Sequence, residues 1–166
     1  MIKFFLAFLI FISSCMANGQ ISSKAFGIMV NTLISHSVNE ISVDSLKNSD
    51  GNIILLDARE DNEYNVSHLK NAIHVGYNDF SLDKIKSIDK DAAIVVYCSV
   101  GYRSEKIAEK LKLAGYTNVS NLFGGIFEWK NKFLPIYDRT GETENIHGYG
   151  IAWGFWVTNG NKVFTK

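Results

Sequence analysis

An α/β fold, with a mainly parallel sheet and helices on both faces, is predicted from three features of this sequence. Short unbroken apolar runs, Ile53–Asp57 and Ala92–Tyr97, read as strands buried on both faces. Segments of helical pattern alternate with them along the chain. The stretch Cys98–Arg103 sits between the second run and the amphipathic segment Ser104–Leu113. That is the carboxyl end of a strand, where ligands bind in such sheets.

The chain has 166 residues, 46% hydrophobic and 20% charged, with formal net charge +0. This length suits one globular domain with a proper core and is short for two. A neutral balance gives no electrostatic basis for nucleic acid or an anionic membrane surface as partner. Any anion binding must be local.

In chain order, Lys3 and the apolar run Phe4–Ile12 read as a secretory leader. The run is far below the roughly 20 apolar residues a spanning helix needs. Two processing points stand. Ile12-Ser13-Ser14-Cys15 resembles a lipobox, with cleavage after Ser14 and Cys15 lipidated, while Ala17-Asn18-Gly19 suits ordinary cleavage after Gly19. Residues 1–19 are therefore read as a signal segment, and the product as periplasmic or lipid-anchored in the cell envelope.

Residues 20–42 form a lead-in. Ile21, Ala25, Ile28, Met29 and Leu33 recur at helical spacing over Ile21–Ile34, and Asn39–Val43 is a short strand. The main domain is placed at 43–136. Asp44 can cap a brief helical turn, and a short helix is expected within Ala58–Val66. Ile73–Gly76 reads as a strand, Leu82–Ile88 as a helix, and Gly115 as the C-cap of Ser104–Leu113. Val119–Leu122 is a last strand before Gly124-Gly125, and a helix over Ile126–Lys132 stops before Pro135. The aromatic extension 137–166 carries Asn159-Gly160, a type I′ turn signal. It predicts a hairpin of Trp153–Thr158 against Asn161–Thr165, packed on the domain.

Of two cysteines, Cys15 is removed or lipidated, so Cys98 is the mature domain's one thiol. A disulfide within it is then excluded, and Cys98 is either buried and inert or reactive. A strand end meeting a helix start aims backbone N–H groups and a helix dipole at the thiol, which favours the reactive reading. No Cys or His stands at ligand spacing around it, so no metal is expected. A cation is unfavourable at a helix N-terminus, so Arg103 points to anion binding.

From about Val43 to Pro135 the chain resembles the rhodanese-like sulfurtransferase family. Leu56-Asp57-Ala58-Arg59-Glu60 is similar to the family's Asp-x-Arg after its central strand. His68–Val75 is similar to its His-Ile-x-Gly-Ala-Ile-x-Ile segment, with Ser67 and Asn71 where glycine is frequent. Val95-Val96-Tyr97-Cys98 with Gly101 and Arg103 resembles its active-site loop, and Gly124-Gly125-Ile126, Trp129 and Leu134-Pro135 resemble its end. The related phosphatases and arsenate reductases have one residue more between cysteine and arginine. The shorter loop sides with sulfur transfer.

The resemblance implies that Cys98 takes the outer sulfur of a small anionic donor such as thiosulfate and passes it to cyanide or a thiol. No cofactor is implied. Ser99, Val100, Gly101, Tyr102, Arg103 and Ser104 would bind substrate: N–H groups from Ser99 to Ser104 stabilise the thiolate and the persulfide anion. Gly101 lets the loop curl, Arg103 draws in the donor, and Tyr102 points to solvent or substrate. Asp57 and Arg59 are read as fixing neighbouring loops by hydrogen bonds. His68 and His74 are read as packing groups rather than proton shuttles, while Trp129 is either a wall of the mouth or core. The rival readings are a rhodanese-fold binding module, with the extension as its protein-partner surface, and a thiol-redox protein, which lacks a resolving cysteine.

Overall fold

The structure, a computed structural model, describes residues 23–164. The signal segment, both cleavage points and lipidation at Cys15 lie outside the described residues.

Ser23 opens the first helix: its Oγ accepts from the Phe26 N–H at 3.4 Å. Helix α1 (Lys24–Leu33) turns Phe26 and Val30 inward, with Ile34 buried just past its end. The buried row is 26-30-34, and Ile28 is 63% exposed. Strand β1 is Asn39–Ile41. Helix α2 (Val43–Lys47) is capped by Ser42, whose Oγ accepts from the Ser45 N–H at 3.0 Å. Asp44, expected as the cap, instead stands in the first turn and pairs with Lys132.

Strands β2 (Ile54–Asp57), β3 (Ile73–His74), β4 (Ile94–Tyr97) and β5 (Val119–Leu122) complete a five-stranded sheet in the order β1-β5-β4-β2-β3. Every pairing in it is parallel. Central β4 is buried throughout. Alternation sends Val95 and Tyr97 into one core, Ile94 and Val96 into the other. The first core takes α1, α2 and α5 (Gly125–Asn131), together with Ile146 and Val157 of the extension. The second takes Ile107, Ala108 and Leu111 of α4 (Tyr102–Leu113), and Ile85.

Helix α3 occupies Asp61–Val66. Ile85 belongs to a single 3₁₀ turn, Leu82–Ile85, shorter than the helix expected to Ile88. Helix α4 starts two residues before the expected Ser104, because Gly101 rather than a later residue is its N-cap. This earlier start puts Arg103 and Ser104 in its first turn.

The extension differs most from expectation. Its hairpin is β6 (Ile136–Asp138) with β7 (Gly141–Thr143). Among the described residues, the expected partners Trp153–Thr158 and Asn161–Phe164 do not pair, and Thr165 lies outside the described residues. Trp153 lies in the short helix α6 (Ile151–Gly154), and β9 (Asn161–Val163) runs parallel to β8 (Asn145–His147). The reason is where the polar groups around the turn find partners. Asn131 Nδ2 donates to Trp156 O, Thr158 N to Asn131 Oδ1, and Asn159 Nδ2 to Lys130 O. The end of α5 captures this segment, so Asn159-Gly160 turns against that helix. Among the described residues, no helix is long and apolar enough to cross a membrane.

Candidate active site

Cys98 follows directly after β4 and is 2% exposed. It is the one free cysteine among the described residues. The chain curls back on the sulfur: the Gly101 N–H donates to Sγ at 3.2 Å. That curl needs φ +124° at Gly101, where a side chain would be strained although space for it exists. The Ser104 hydroxyl lies 3.4 Å from Sγ and 2.7 Å from Asn121 Oδ1. Asn121, at the end of β5, also donates from Nδ2 to Gly101 O at 2.9 Å. One amide thus holds both the turn of the loop and the serine beside the sulfur.

Behind the loop, α5 supplies its first N–H groups, which have no partner inside the helix. Ile126 N donates to Cys98 O at 2.9 Å and Phe127 N to Ser99 O at 3.1 Å. So close an approach requires glycine at 125. A Cβ there would meet the carbonyl of Cys98 and lie 2.7 Å from Ser99 O.

Arg103 is turned towards α3. Nη1 donates to Glu63 Oε2 at 2.6 Å and Nη2 to Oε1 at 2.8 Å, a two-point clasp. Ser99 Oγ completes it, donating to Glu63 Oε1 at 3.1 Å and accepting from Arg103 Nη2 at 3.0 Å. Glu63 also accepts from the Glu60 N–H at 3.2 Å, closing a capping box on α3. Burial pushes the Glu63 carboxyl up, but the bonds and charge of Arg103 outweigh it and hold the pKa below the usual carboxylate range. Burial alone would lower the Arg103 pKa; Glu63 and negative charge at Cys98 raise it.

Asp57 and Arg59 form a separate pair, both 0% exposed. Arg59 Nη2 donates to Asp57 Oδ2 and to Ser67 O, each at 2.6 Å, tying the end of β2 to the approach to β3. Burial works against the Arg59 charge, and Asp57 more than offsets it. His68 stacks on Tyr64 at 4.1 Å, and His74 Nε2 lies 2.7 Å from Arg59 O. Trp129 packs on the core and donates from Nε1 to Pro135 O at 2.9 Å, which answers its open reading.

Above the sulfur is a cleft of about 270 Å³. Its floor is Cys98, Ser99, Val100 and Arg103, with Tyr102 at the rim; its walls are Leu33, Tyr149 and Trp153. Tyr102 is 41% exposed at the mouth. Glu63, Asn121 and Gly125 were not singled out from the sequence as parts of the site, and neither were Leu33, Tyr149 and Trp153. Only Glu63 had a local signal, the capping-box spacing Glu60-x-x-Glu63.

Fold and site together define an α/β domain with a thiol cradled at the carboxyl end of its central strand. Residues 42–132 match the family model of the rhodanese-like domain, and the chain belongs to that family. It is 36% identical over 115 residues to a tRNA uridine(34) hydroxylase of Hamiltonella defensa subsp. Acyrthosiphon pisum (strain 5AT), covering 63% of this chain and 30% of that protein. The chain thus spans less than a third of that relative. It is 32% identical over 101 residues to YtwF of Bacillus subtilis (strain 168), which carries a sulfurtransferase name, covering 59% of this chain and 96% of that one. Among solved structures, BH2092 of Bacillus halodurans superposes with TM-score 0.56 at 25% identity, over 70% of this chain and 86% of that chain. A rhodanese-related protein of Thermoplasma volcanium gives TM-score 0.53 at 27% identity, over 59% and 96%. This is a rhodanese-like domain with sulfurtransferase-related homologues.

Proposed function

We propose that this domain is a sulfurtransferase in which Cys98 carries sulfane sulfur as a persulfide. The observation that carries this reading is the Gly101 N–H directed at Cys98 Sγ from within a loop clamped on both sides. In the first step the Cys98 thiolate attacks the outer sulfur of thiosulfate. The S–S bond of the donor breaks and sulfite leaves with its electron pair, so Cys98–S⁻ and S₂O₃²⁻ become Cys98–S–S⁻ and SO₃²⁻. Cyanide or a thiol then takes the terminal sulfur and the Cys98 thiolate returns. Two covalent half-reactions give ping-pong kinetics.

Backbone N–H groups of the loop receive the persulfide's charge, as oriented dipoles do in other anion cradles. Export to the cell envelope, read from residues 1–19, belongs to the same proposal. Incubation with thiosulfate followed by intact mass measurement tests the sulfur-transfer reading: wild type gains about 32 Da that cyanide removes, which sets a persulfide apart from the equally heavy and irreversible sulfinic acid, and Cys98→Ser gains none. No gain with thiosulfate or any other sulfane donor overturns it.

A further inference from the structure

The floor of the cleft comes from the family-matched residues 42–132, but its walls do not. Leu33 arrives on α1; Tyr149 and Trp153 arrive on the extension. Tyr149 lays its ring 4.7 Å from the Arg103 guanidinium carbon and meets Trp153 edge-on at 6.3 Å. Its backbone is held at φ +61°, and its N–H donates to His147 Nδ1 at 3.0 Å. Trp156 anchors the segment, with its ring centroid 5.7 Å from that of Phe26 on α1 and its carbonyl bound by Asn131. The wall is therefore fixed to two helices of the domain.

The charge in the cleft is largely accounted for. Arg103 faces a buried carboxylate with two nitrogens and a tyrosine ring with its face. A small dianion such as thiosulfate enters beside a cation already neutralised, and it buries little of the apolar surface of Leu33, Tyr149 and Trp153. An apolar group attached to the sulfur gains both burial and ring contacts. Roughly 150 Å³ of apolar cavity accommodates a benzene ring, so the cleft has room for an organic body above the sulfur.

Resting on the sulfur-transfer reading, we infer that Tyr149 and Trp153 are specificity residues that favour organic sulfane donors with an apolar body over inorganic thiosulfate. For an organic thiosulfonate the step balances in the same way. The thiolate attacks the outer sulfur of R–SO₂–S⁻, the S–S bond breaks, and the sulfinate R–SO₂⁻ leaves, giving Cys98–S–S⁻.

The test compares benzenethiosulfonate with thiosulfate on the full chain, with cyanide as acceptor and thiocyanate as readout. Intrinsic donor reactivity differs, so the diagnostic quantity is the change in the ratio of kcat/KM values between proteins. Removing both rings, in Tyr149→Ala with Trp153→Ala, lowers the benzenethiosulfonate-to-thiosulfate ratio about tenfold. Tyr149→Phe keeps the ratio within about threefold, since the ring face remains. Trp153→Leu, which preserves bulk, gives an intermediate ratio and serves if the double variant does not fold. An unchanged ratio in variants that fold and accept sulfur on Cys98 overturns the inference while leaving sulfur transfer intact. Failure of both donors to load wild-type Cys98 overturns the sulfur-transfer reading, and the inference with it.

Discussion

Arg103 and Glu63, 40 positions apart in sequence, clasp one another through both guanidinium Nη atoms and both carboxylate oxygens, at 2.6 and 2.8 Å. The pair fastens the first turn of α4 to the first turn of α3, and Ser99 of the cysteine loop is caught between them. Glu63 is 2% exposed and Arg103 9%, so water screens the pair little. The arginine orients the loop as much as it offers charge to a substrate.

Removing one partner of such a buried pair strands the other, and Glu63→Ala is expected to lose about 3–5 kcal/mol of stability. Urea unfolding measures it. Sulfur transfer falls as well, because Ser99 and Arg103 lose their common acceptor.

The same carboxyl predicts a pH dependence. Its pKa in the folded protein is depressed, so folding favours the ionised form. The stabilisation is fully present above the unfolded value of 4.5 and is lost as pH falls through the depressed folded value. Wild-type urea midpoints should drop as pH falls below 4.5. Glu63→Gln should show a shallower drop, and equal slopes would contradict this.

Gly125 and Gly115 both have positive φ, but only Gly125 faces backbone. Gly125→Ala is expected to destabilise by about 3 kcal/mol, combining overpacking with backbone strain. Gly115→Ala, with nothing within 4 Å, should lose only about 1 kcal/mol. Denaturation midpoints of the two variants, measured side by side, check the difference. Gly125→Ala should also slow persulfide formation, since α5 can no longer reach the carbonyls of Cys98 and Ser99.

Asn121 joins Gly101 O to the Ser104 hydroxyl. Asn121→Ala leaves both groups without it and should destabilise by about 1–3 kcal/mol. The rate of sulfur loading should fall with it, because the Gly101 N–H is no longer held on the sulfur. Stopped-flow measurement of the first half-reaction reads this. A loading rate equal to wild type would show that the amide serves stability alone.

What was legible in the sequence was what is local. Ile94–Tyr97, Cys98 and the helix after it are contiguous, so a strand, a thiol and a helix start could be read in one pass. The parallel sheet followed from the alternation of such units. Glu63 and Asn121 reach the loop across 36 to 40 and 17 to 20 positions, and no periodicity reports such contacts. Asn159-Gly160 misled for the same reason. Its local turn preference is real, but Lys130 and Asn131 on α5 capture the neighbouring polar groups and turn the chain elsewhere. Nothing local to Tyr149 or Trp153 reports that the fold carries them over Cys98; the sequence places Trp153 in a hairpin strand packed on the domain.

The central claim is that sulfur resides on Cys98. The most direct measurement is the intact mass of the full chain after exposure to thiosulfate and, separately, to benzenethiosulfonate, with peptide mapping of the adduct. A gain of one sulfur, about 32 Da, on the peptide bearing Cys98 is expected, cleared by cyanide and absent in Cys98→Ser. A wild type that gains no sulfur from either donor, or a Cys98→Ser variant that gains it equally, contradicts the claim.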